Sequence, residues 1–274
     1  MIDLHCHSYF SDGELSPGDL LSKAIDANIS ILALTDHDTI AGLSLFHEAS
    51  KAHHVKTISG VELSVRWKKY DLHVLGLNIN IGDSKLAQLL SQQNEARISR
   101  AHQIGECLAH HGILDAYKKA SEIAGHERVG RPHFAQVLIN EGVVGDMQAA
   151  FKRFLGQGKS AYVPTAWIDM SGAVDVINAV GGDAVIAHPL KYRLTRSKLH
   201  ELIKEFKSVG GGGLEVVSGE IPVALASDMA GLCQRFDLLA STGSDYHGDL
   251  SRVALGQQRA LPVNCRPIWH RWNI

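Results

Sequence analysis

Short apolar runs recur along this chain, and most of them stop at a histidine or a carboxylate. They read "MIDLHCH", "ISILALTDHD", "VKTISGVELS", "DLHVLGLNI", "DAVIAHP", "GLEVVSG" and "LLASTGSDYH". Stretches with helical spacing separate most of them, at 17–27, 40–53, 172–181, 196–207 and 221–235. Strands that alternate with helices argue for a mainly parallel α/β fold. The continuous apolar character of "ILAL" and "AVIA" fits strands covered on both faces. Only "RWKKY" joins the third and fourth runs, which predicts a hairpin-like exception there. About seven strands predict a closed or nearly closed barrel related to the TIM barrel, with functional residues at the C-terminal strand ends.

The alternation breaks off between roughly residues 88 and 165. There "NEARISRAHQIGECLAHHG" carries Ile98, Ala101, Ile104 and Leu108 at helical spacing. "RPHFAQVLINEG" and "MQAAFKRFLGQG" read as two further short helices, each stopped by glycine. The expected organisation is a barrel in two parts, 1–87 and 166–274, with a small helical insert domain at 88–165 for substrate recognition. Charged residues in the insert lean basic between Arg97 and Lys159.

Composition narrows the class. Of 274 residues 45% are hydrophobic and the formal net charge is −2, which suits a globular protein with a large core. That balance excludes a general nucleic-acid or membrane surface. Cys6, Cys107, Cys233 and Cys265 lie far apart and read as reduced thiols. With no signal-like start, the expected location is cytoplasmic. Sixteen histidines are well above ordinary usage and raise the prior for metal chemistry.

His5 and His7, two apart on a strand, point to one side while Cys6 points away. Asp12, in a turn rich in Ser, Asp and Gly, can swing back toward them. The remaining polar residues at or near strand ends are His37, Glu62, His73, His188, Asp245 and His247. Singly, each has an ordinary structural explanation: His73 as a core histidine, His188 closing a strand before Pro189, "TDHDT" (35–39) as a helix cap. Together, at successive strand ends, six imidazoles and three carboxylates suit two or three divalent ions. Mixed nitrogen and oxygen donors favour Mn²⁺, with Zn²⁺ or Fe²⁺ as the alternatives, over Mg²⁺. The positive charge such ions bring makes phosphate the natural guest.

In their order, "DLHCHSYFSDG", "TDHDT", "GVELS", "AHP" and "GSDYH" resemble the motifs of the PHP (polymerase and histidinol phosphatase) superfamily. That resemblance implies a distorted seven-stranded (β/α)7 barrel with a trinuclear metal centre. It assigns His5, His7, Glu62 and Asp245 to one metal and Asp12, His37 and His247 to a second. Glu62, His73 and His188 go to a third, so Glu62 is the expected bridge. "GRPHFAQVLINEG", "FLGQGKSAYVP" and "AHPLKYRLTRSKL" are similar to the TrpH-like, or YciV-like, branch. Its members include 3′,5′-nucleotide bisphosphate phosphatases and the 5′→3′ exoribonuclease RNase AM.

The insert's own residues suit such a substrate. Pro132 fits the first position of a helix, which puts Arg131 and His133 at its positive end, where phosphate binds. Lys159 and Arg193 are further candidates for phosphate, with solvated or salt-bridged surface roles as the alternative. The expected reaction is phosphoester hydrolysis with Glu62, Asp245 and His247 as catalytic residues and Asp36 and Asp38 orienting ligand imidazoles. The expected partner is a nucleotide or short RNA, with neither DNA-sequence recognition nor a membrane. Alternatives are a phosphatase of the histidinol-phosphatase type, a hydrolase of C–N bonds, or a non-catalytic metal-binding module. A C–N hydrolase usually recruits a lysine ligand, and no lysine is expected at these strand ends.

Overall fold

In the computed structural model, which describes residues 1–249 and 253–272, eight strands follow one another along the chain. They are β1 (Ile2–Asp3), β2 (Ile31–Leu34), β3 (Lys56–Trp67), β4 (Tyr70–Leu77), β5 (Ile168–Asp169), β6 (Asp183–Ile186), β7 (Gly213–Ser218) and β8 (Leu239–Gly243). Seven of them form one sheet in the order β1-β2-β3-β4-β6-β7-β8, and the two-residue β5 pairs with β3 from the side. Past β1 the sheet closes on itself. Leu4 N donates to Thr242 O at 3.0 Å, and His7 N to Tyr246 O at 2.9 Å. The expected distorted seven-stranded barrel is therefore the observed one.

The distortion lies in β4. It pairs antiparallel with both β3 and β6, whereas the other barrel pairs are parallel. The expected hairpin is real and tight, with Trp67 opposite Tyr70 and Lys68 at φ 53° in the turn. Reversal of β4 puts its beginning, not its end, beside the C-terminal ends of its neighbours. His73 thus stands opposite Ser64 of β3 near the same rim as the other candidates.

Strand alternation decides which side chains face the barrel interior. Val61, Leu63 and Val65 of β3 and Leu72 and Val74 of β4 pack in one apolar cluster with the helices. The opposite phase holds Ile58, Leu75, Leu77, Val185 of β6 and Ala187 just past it, which pack with Ile268 and Trp272 of the C-terminal segment. Trp272 is buried and Trp269 packs against the same cluster, so both tail tryptophans serve the barrel core. Glu62 and His73 share this inner phase, one step nearer the rim.

The chain divides into two compact units, residues 1–90 with 168–274, and residues 91–167. In the first, α1 (Pro17–Asp26) and α2 (Leu43–Ser50) follow the first two strands. α1 starts where Ser16 Oγ accepts from Asp19 N at 3.0 Å, with Pro17 at its first position. α3 (Ser84–Ala109) runs from the first unit into the second. The second unit adds α4 (Ala116–Ala124), α5 (Arg131–Asn140), α6 (Met147–Ala150) and a π-helical turn at Phe151–Leu155. Ala101, Ile104, Leu108, Phe134, Leu138 and Leu155 share its core. Arg97 and Arg100, on the same helix, lie over the Trp167 ring at 5.3 and 4.9 Å. Back in the first unit, α7 (Met170–Ala179), α8 (Arg196–Ser208) and α9 (Val223–Phe236) complete the cover of the barrel.

Candidate metal centre

The turn after β1 is built to fold back. Ser11 N and Gly13 N both donate to Ser8 O at 3.0 Å. Gly13 has no substitute here, because a Cβ on it would lie 2.2 Å from His7 O. Asp36, at the end of β2, accepts from Ser8 N at 2.7 Å, Ser8 Oγ at 2.6 Å and Ser11 Oγ at 2.7 Å. Asp38 accepts from Ser64 N at 2.7 Å. Asp36 therefore fixes the turn that carries Asp12, and it reaches the His7 imidazole only through Ser11 Oγ, which lies 3.4 Å from His7 Nδ1. Asp38, His188 and Asp245 have φ of 50°, 27° and 56°, the left-handed region that side chains other than glycine rarely occupy. Such strain, at the rim of one barrel, marks positions held by their surroundings.

All nine candidate side chains converge at this rim, in three neighbouring groups. In the first, His5 Nε2 stands 3.3 Å from Glu62 Oε2 and 3.4 Å from Asp245 Oδ1. His7 Nε2 has the same two neighbours at 3.3 and 3.4 Å. A tetrahedral site with metal–donor bonds of about 2.0–2.1 Å has donor–donor edges of about 3.3–3.4 Å. In the second, Asp12 faces His37 Nε2 at 3.7 Å and His247 Nε2 at 3.4 Å. In the third, Glu62 Oε1 lies 2.8 Å from His73 Nδ1 and 2.9 Å from His188 Nε2. His37 sits between groups, since its Nδ1 approaches Glu62 Oε2 to 3.0 Å. Glu62, with no exposed surface, faces five imidazoles.

These atoms fit metal ions better than they fit one another. His5 Nε2, His7 Nε2, Asp12 Oδ1, His37 Nδ1 and Glu62 Oε2 are buried without a hydrogen-bond partner. Buried polar atoms seldom go unsatisfied, and here several lone pairs aim at shared points. Burial opposes ionisation of Glu62, Asp12 and Asp245, but the facing imidazoles win and hold all three well below the usual carboxylate range. Burial also works against a proton on His7, yet Asp245 and Glu62 raise its pKa to about 10. His37 is pushed down to about 4, mainly by burial.

Three residues that the sequence reading missed support the donors. Glu215, buried in β7, takes His5 Nδ1 at 3.0 Å on Oε1 and His188 N at 2.5 Å on Oε2. A carboxylate can only accept, so His5 carries a proton on Nδ1 and turns the Nε2 lone pair to the centre. Its signal was a single acid inside the apolar run "GLEVVSG". Asp3, also buried, accepts from Ser244 N at 2.9 Å and Gly256 N at 3.0 Å and ties β1 to the chain beyond β8. Lys191, in the 3₁₀ turn Pro189–Tyr192, pairs its ammonium with Asp245 Oδ2. A lysine does reach the strand ends, contrary to expectation. It pairs with a carboxylate there, its ammonium held protonated by Asp245.

The proposed phosphate-binding side chains fall on both units. Arg131 opens α5 and lies 6.0 Å from the Tyr162 ring centroid. Pro132 is the second helical residue, one place later than expected, because Gly130 is the cap. His133 Nδ1 accepts from Gly130 N at 3.0 Å, which leaves the ring proton on Nε2 as a donor. Lys159 follows Gly158 on an exposed turn of the second unit, and Arg193 is exposed in the first, just after the 3₁₀ turn.

A 5′-3′ exoribonuclease of Haemophilus influenzae is 40% identical, over 98% of each chain. A 3′,5′-nucleoside bisphosphate phosphatase of Chromobacterium violaceum is 38% identical, over 98% of this chain and 95% of its own. An amidohydrolase of the same organism, solved with bound sulfate and without metal, superposes with a TM-score of 0.94 at 38% identity. That match covers 98% of this chain and 95% of the other. The model of the PHP domain matches residues 3–216, so the chain belongs to the PHP domain family.

Proposed function

We propose that this chain is a metal-dependent phosphoesterase of nucleotides, acting on 3′,5′-bisphosphates or on the 5′ end of short RNA. The observation that carries the reading is Glu62, one buried carboxylate shared between donor groups in which His5 Nε2, His7 Nε2, Asp12 Oδ1 and His37 Nδ1 have no hydrogen-bond partner. His5, His7, Glu62 and Asp245 would hold one ion, and Asp12, His37 and His247 a second. Glu62, His73 and His188 would hold a third. Imidazole-rich donors favour Mn²⁺, with Zn²⁺ or Fe²⁺ as alternatives. Bound ions supply Lewis acidity, polarising the phosphoryl group and acidifying water.

The chain's own residues set orientation. Glu215 fixes the tautomer of His5 and, through the His188 backbone, the start of the 3₁₀ turn. His247 Nδ1 donates to Asp245 O at 2.9 Å, so its Nε2 presents a lone pair on the side of Asp12. Glu62, Asp245 and His247 are thereby the residues nearest the chemistry. In the second unit Arg131 and His133 at the start of α5, with Lys159, and in the first unit Arg193, each offer chemistry that suits a phosphate: an arginine, an Nε2–H donor and the positive end of a helix. The names of the relatives, an exoribonuclease and a bisphosphate phosphatase, favour the same substrate class.

Hydrolysis by metal-loaded enzyme of a nucleoside 3′,5′-bisphosphate, a short 5′-phosphorylated RNA, a plain aryl phosphate and an N-acyl amino acid tests the reading. Phosphate release from the first two at the highest kcat/KM supports it; turnover of the amide alone refutes it. Arg131→Ala should cost the bisphosphate about 2–3 kcal/mol in transition-state terms and leave the aryl phosphate nearly unchanged. Equal losses on both would show that Arg131 serves the chemistry or the fold.

A further inference from the structure

Beside the donor groups the first unit holds a cavity of about 490 Å³, within the ~300–1,000 Å³ usual for small-molecule sites. Its wall includes one member of each group: Asp245 of the first, His247 of the second and His188 of the third. Whatever occupies it lies against all three at once. Away from these residues the lining changes character. Val216 and Val253 are buried, Leu190 and Ile221 are half-buried, and all four contribute hydrocarbon to the wall. A single phosphate needs no such surface.

We propose that this cavity receives the nucleoside base of the substrate, an assignment that rests on the phosphoesterase reading and adds a specificity pocket to it. Three observations select the base over a second phosphate. The apolar wall gains from covering a planar, weakly hydrated group, whereas a phosphate there would lose its water without replacement donors. Glu220, exposed on the lining just beyond β7, places a carboxylate where a phosphate would be repelled. Ser218 Oγ, on the same lining segment, is buried without a hydrogen-bond partner, and a base edge supplies what apolar side chains cannot. Among the described residues of the lining the one lysine, Lys191, is already paired with Asp245, at the end nearest the donor groups. Among the described lining residues the lysine thus lies at the inner end, and beyond it come hydrocarbon and the Glu220 carboxylate, which matches a nucleotide entering phosphate first.

Ile221 is the residue to change, because it is half-buried, lies in the loop between β7 and α9 and is not one of the nine candidate donors. Two substrates separate base recognition from phosphate chemistry: adenosine 3′,5′-bisphosphate and the abasic 1-deoxyribose 3,5-bisphosphate, which keeps both phosphates. Wild type should favour the nucleotide by at least about tenfold in kcat/KM, and Ile221→Trp, which fills the cavity, should remove most of that preference while the abasic rate stays within about twofold. Ile221→Ala, which cannot crowd the fold, should raise KM for the nucleotide about two- to fivefold and leave the abasic ester alone. A wild type that treats the two esters alike, or variants that lower both alike or neither, overturns the cavity assignment while phosphoester hydrolysis stands. A wild type that hydrolyses neither ester overturns the phosphoesterase reading, and this inference with it.

Discussion

Replacing Glu215 with glutamine tests the logic of the centre at its least obvious point. The side chain keeps its shape, but it faces two donors, His188 N at 2.5 Å and His5 Nδ1 at 3.0 Å, and an amide has only one acceptor oxygen. The backbone N–H cannot change role. The amide oxygen therefore stays with His188, and the NH₂ group turns to His5. Nδ1 must then accept, which moves the ring proton to Nε2, the atom that stands 3.3 Å from Glu62 and 3.4 Å from Asp245. His5 would present an N–H to the ion in place of a lone pair. A hydrogen bond to a charged group is worth about 1.5–3 kcal/mol and a neutral one about 0.5–1.5, so the difference is roughly 1–2 kcal/mol. That is about a 5- to 30-fold loss of affinity, at the lower end of the ~10–100-fold typical when the support of a ligand histidine is removed. Melting should move little, because the contact to His188 survives. Metal titration by calorimetry, with kcat/KM on the preferred ester, reads the effect. A Glu215→Gln variant with wild-type metal affinity and turnover would refute the claim that Glu215 sets the tautomer of His5.

Three further outcomes follow from other parts of the molecule. Burial disfavours protons on His5 and His7, yet the facing carboxylates raise both, His7 to about 10, while His37 and His188 are lowered, chiefly by burial. Loading the first donor group must displace about two protons, so its apparent affinity should rise about two powers of ten per pH unit between roughly pH 7 and 9; calorimetry in buffers of different ionisation enthalpy counts the protons, and a pH-independent affinity contradicts the geometry. After chelation, Mn²⁺ should restore turnover better than Mg²⁺, because imidazoles are poor Mg²⁺ ligands; equal rescue would mean that the histidines are not the working ligands. A Cβ on Gly243 would lie 2.3 Å from His5 Cβ, so Gly243→Ala should cost at least about 3 kcal/mol and lower the melting temperature by roughly 6–12 °C. An unchanged melt would mean that β8 does not close on His5 this tightly.

What could be read in the sequence, and what could not, divides along one physical line. Polar residues that break an apolar strand at its end are visible in one dimension, and His5, His7, His37, His188, Asp245 and His247 were legible on that ground. Glu62 was found by the same rule, though it sits in the middle of the twelve-residue β3, which runs on past the rim. His73 comes early in its strand, and only the reversal of β4 brings it to the rim. Its place follows from topology, which no local pattern encodes.

Supporting contacts were harder to see, because their partners are distant along the chain. Glu215 meets His5 across 210 positions, and Ser244 meets Asp3 across 241. Each is an isolated acid in an apolar run, and the pattern cannot tell an acid that binds an ion from one that holds a ligand in place. Lys191 was hidden for another reason. It follows His188 by three residues in a 3₁₀ turn, and the unusual backbone of His188, φ 27° and ψ 59°, is needed to direct that turn. In the insert, α4 buries only Ala116 and Ala120, side chains too small to leave a hydrophobic period, and it was missed. On α3, the sequence period marked the apolar stripe but gave no hint that Arg97 and Arg100 are buried too, over a tryptophan near position 167 that lies far along the chain. The residues that bear the proposed chemistry were thus legible one strand at a time, whereas the residues that hold them became visible only when strands distant in sequence were brought side by side.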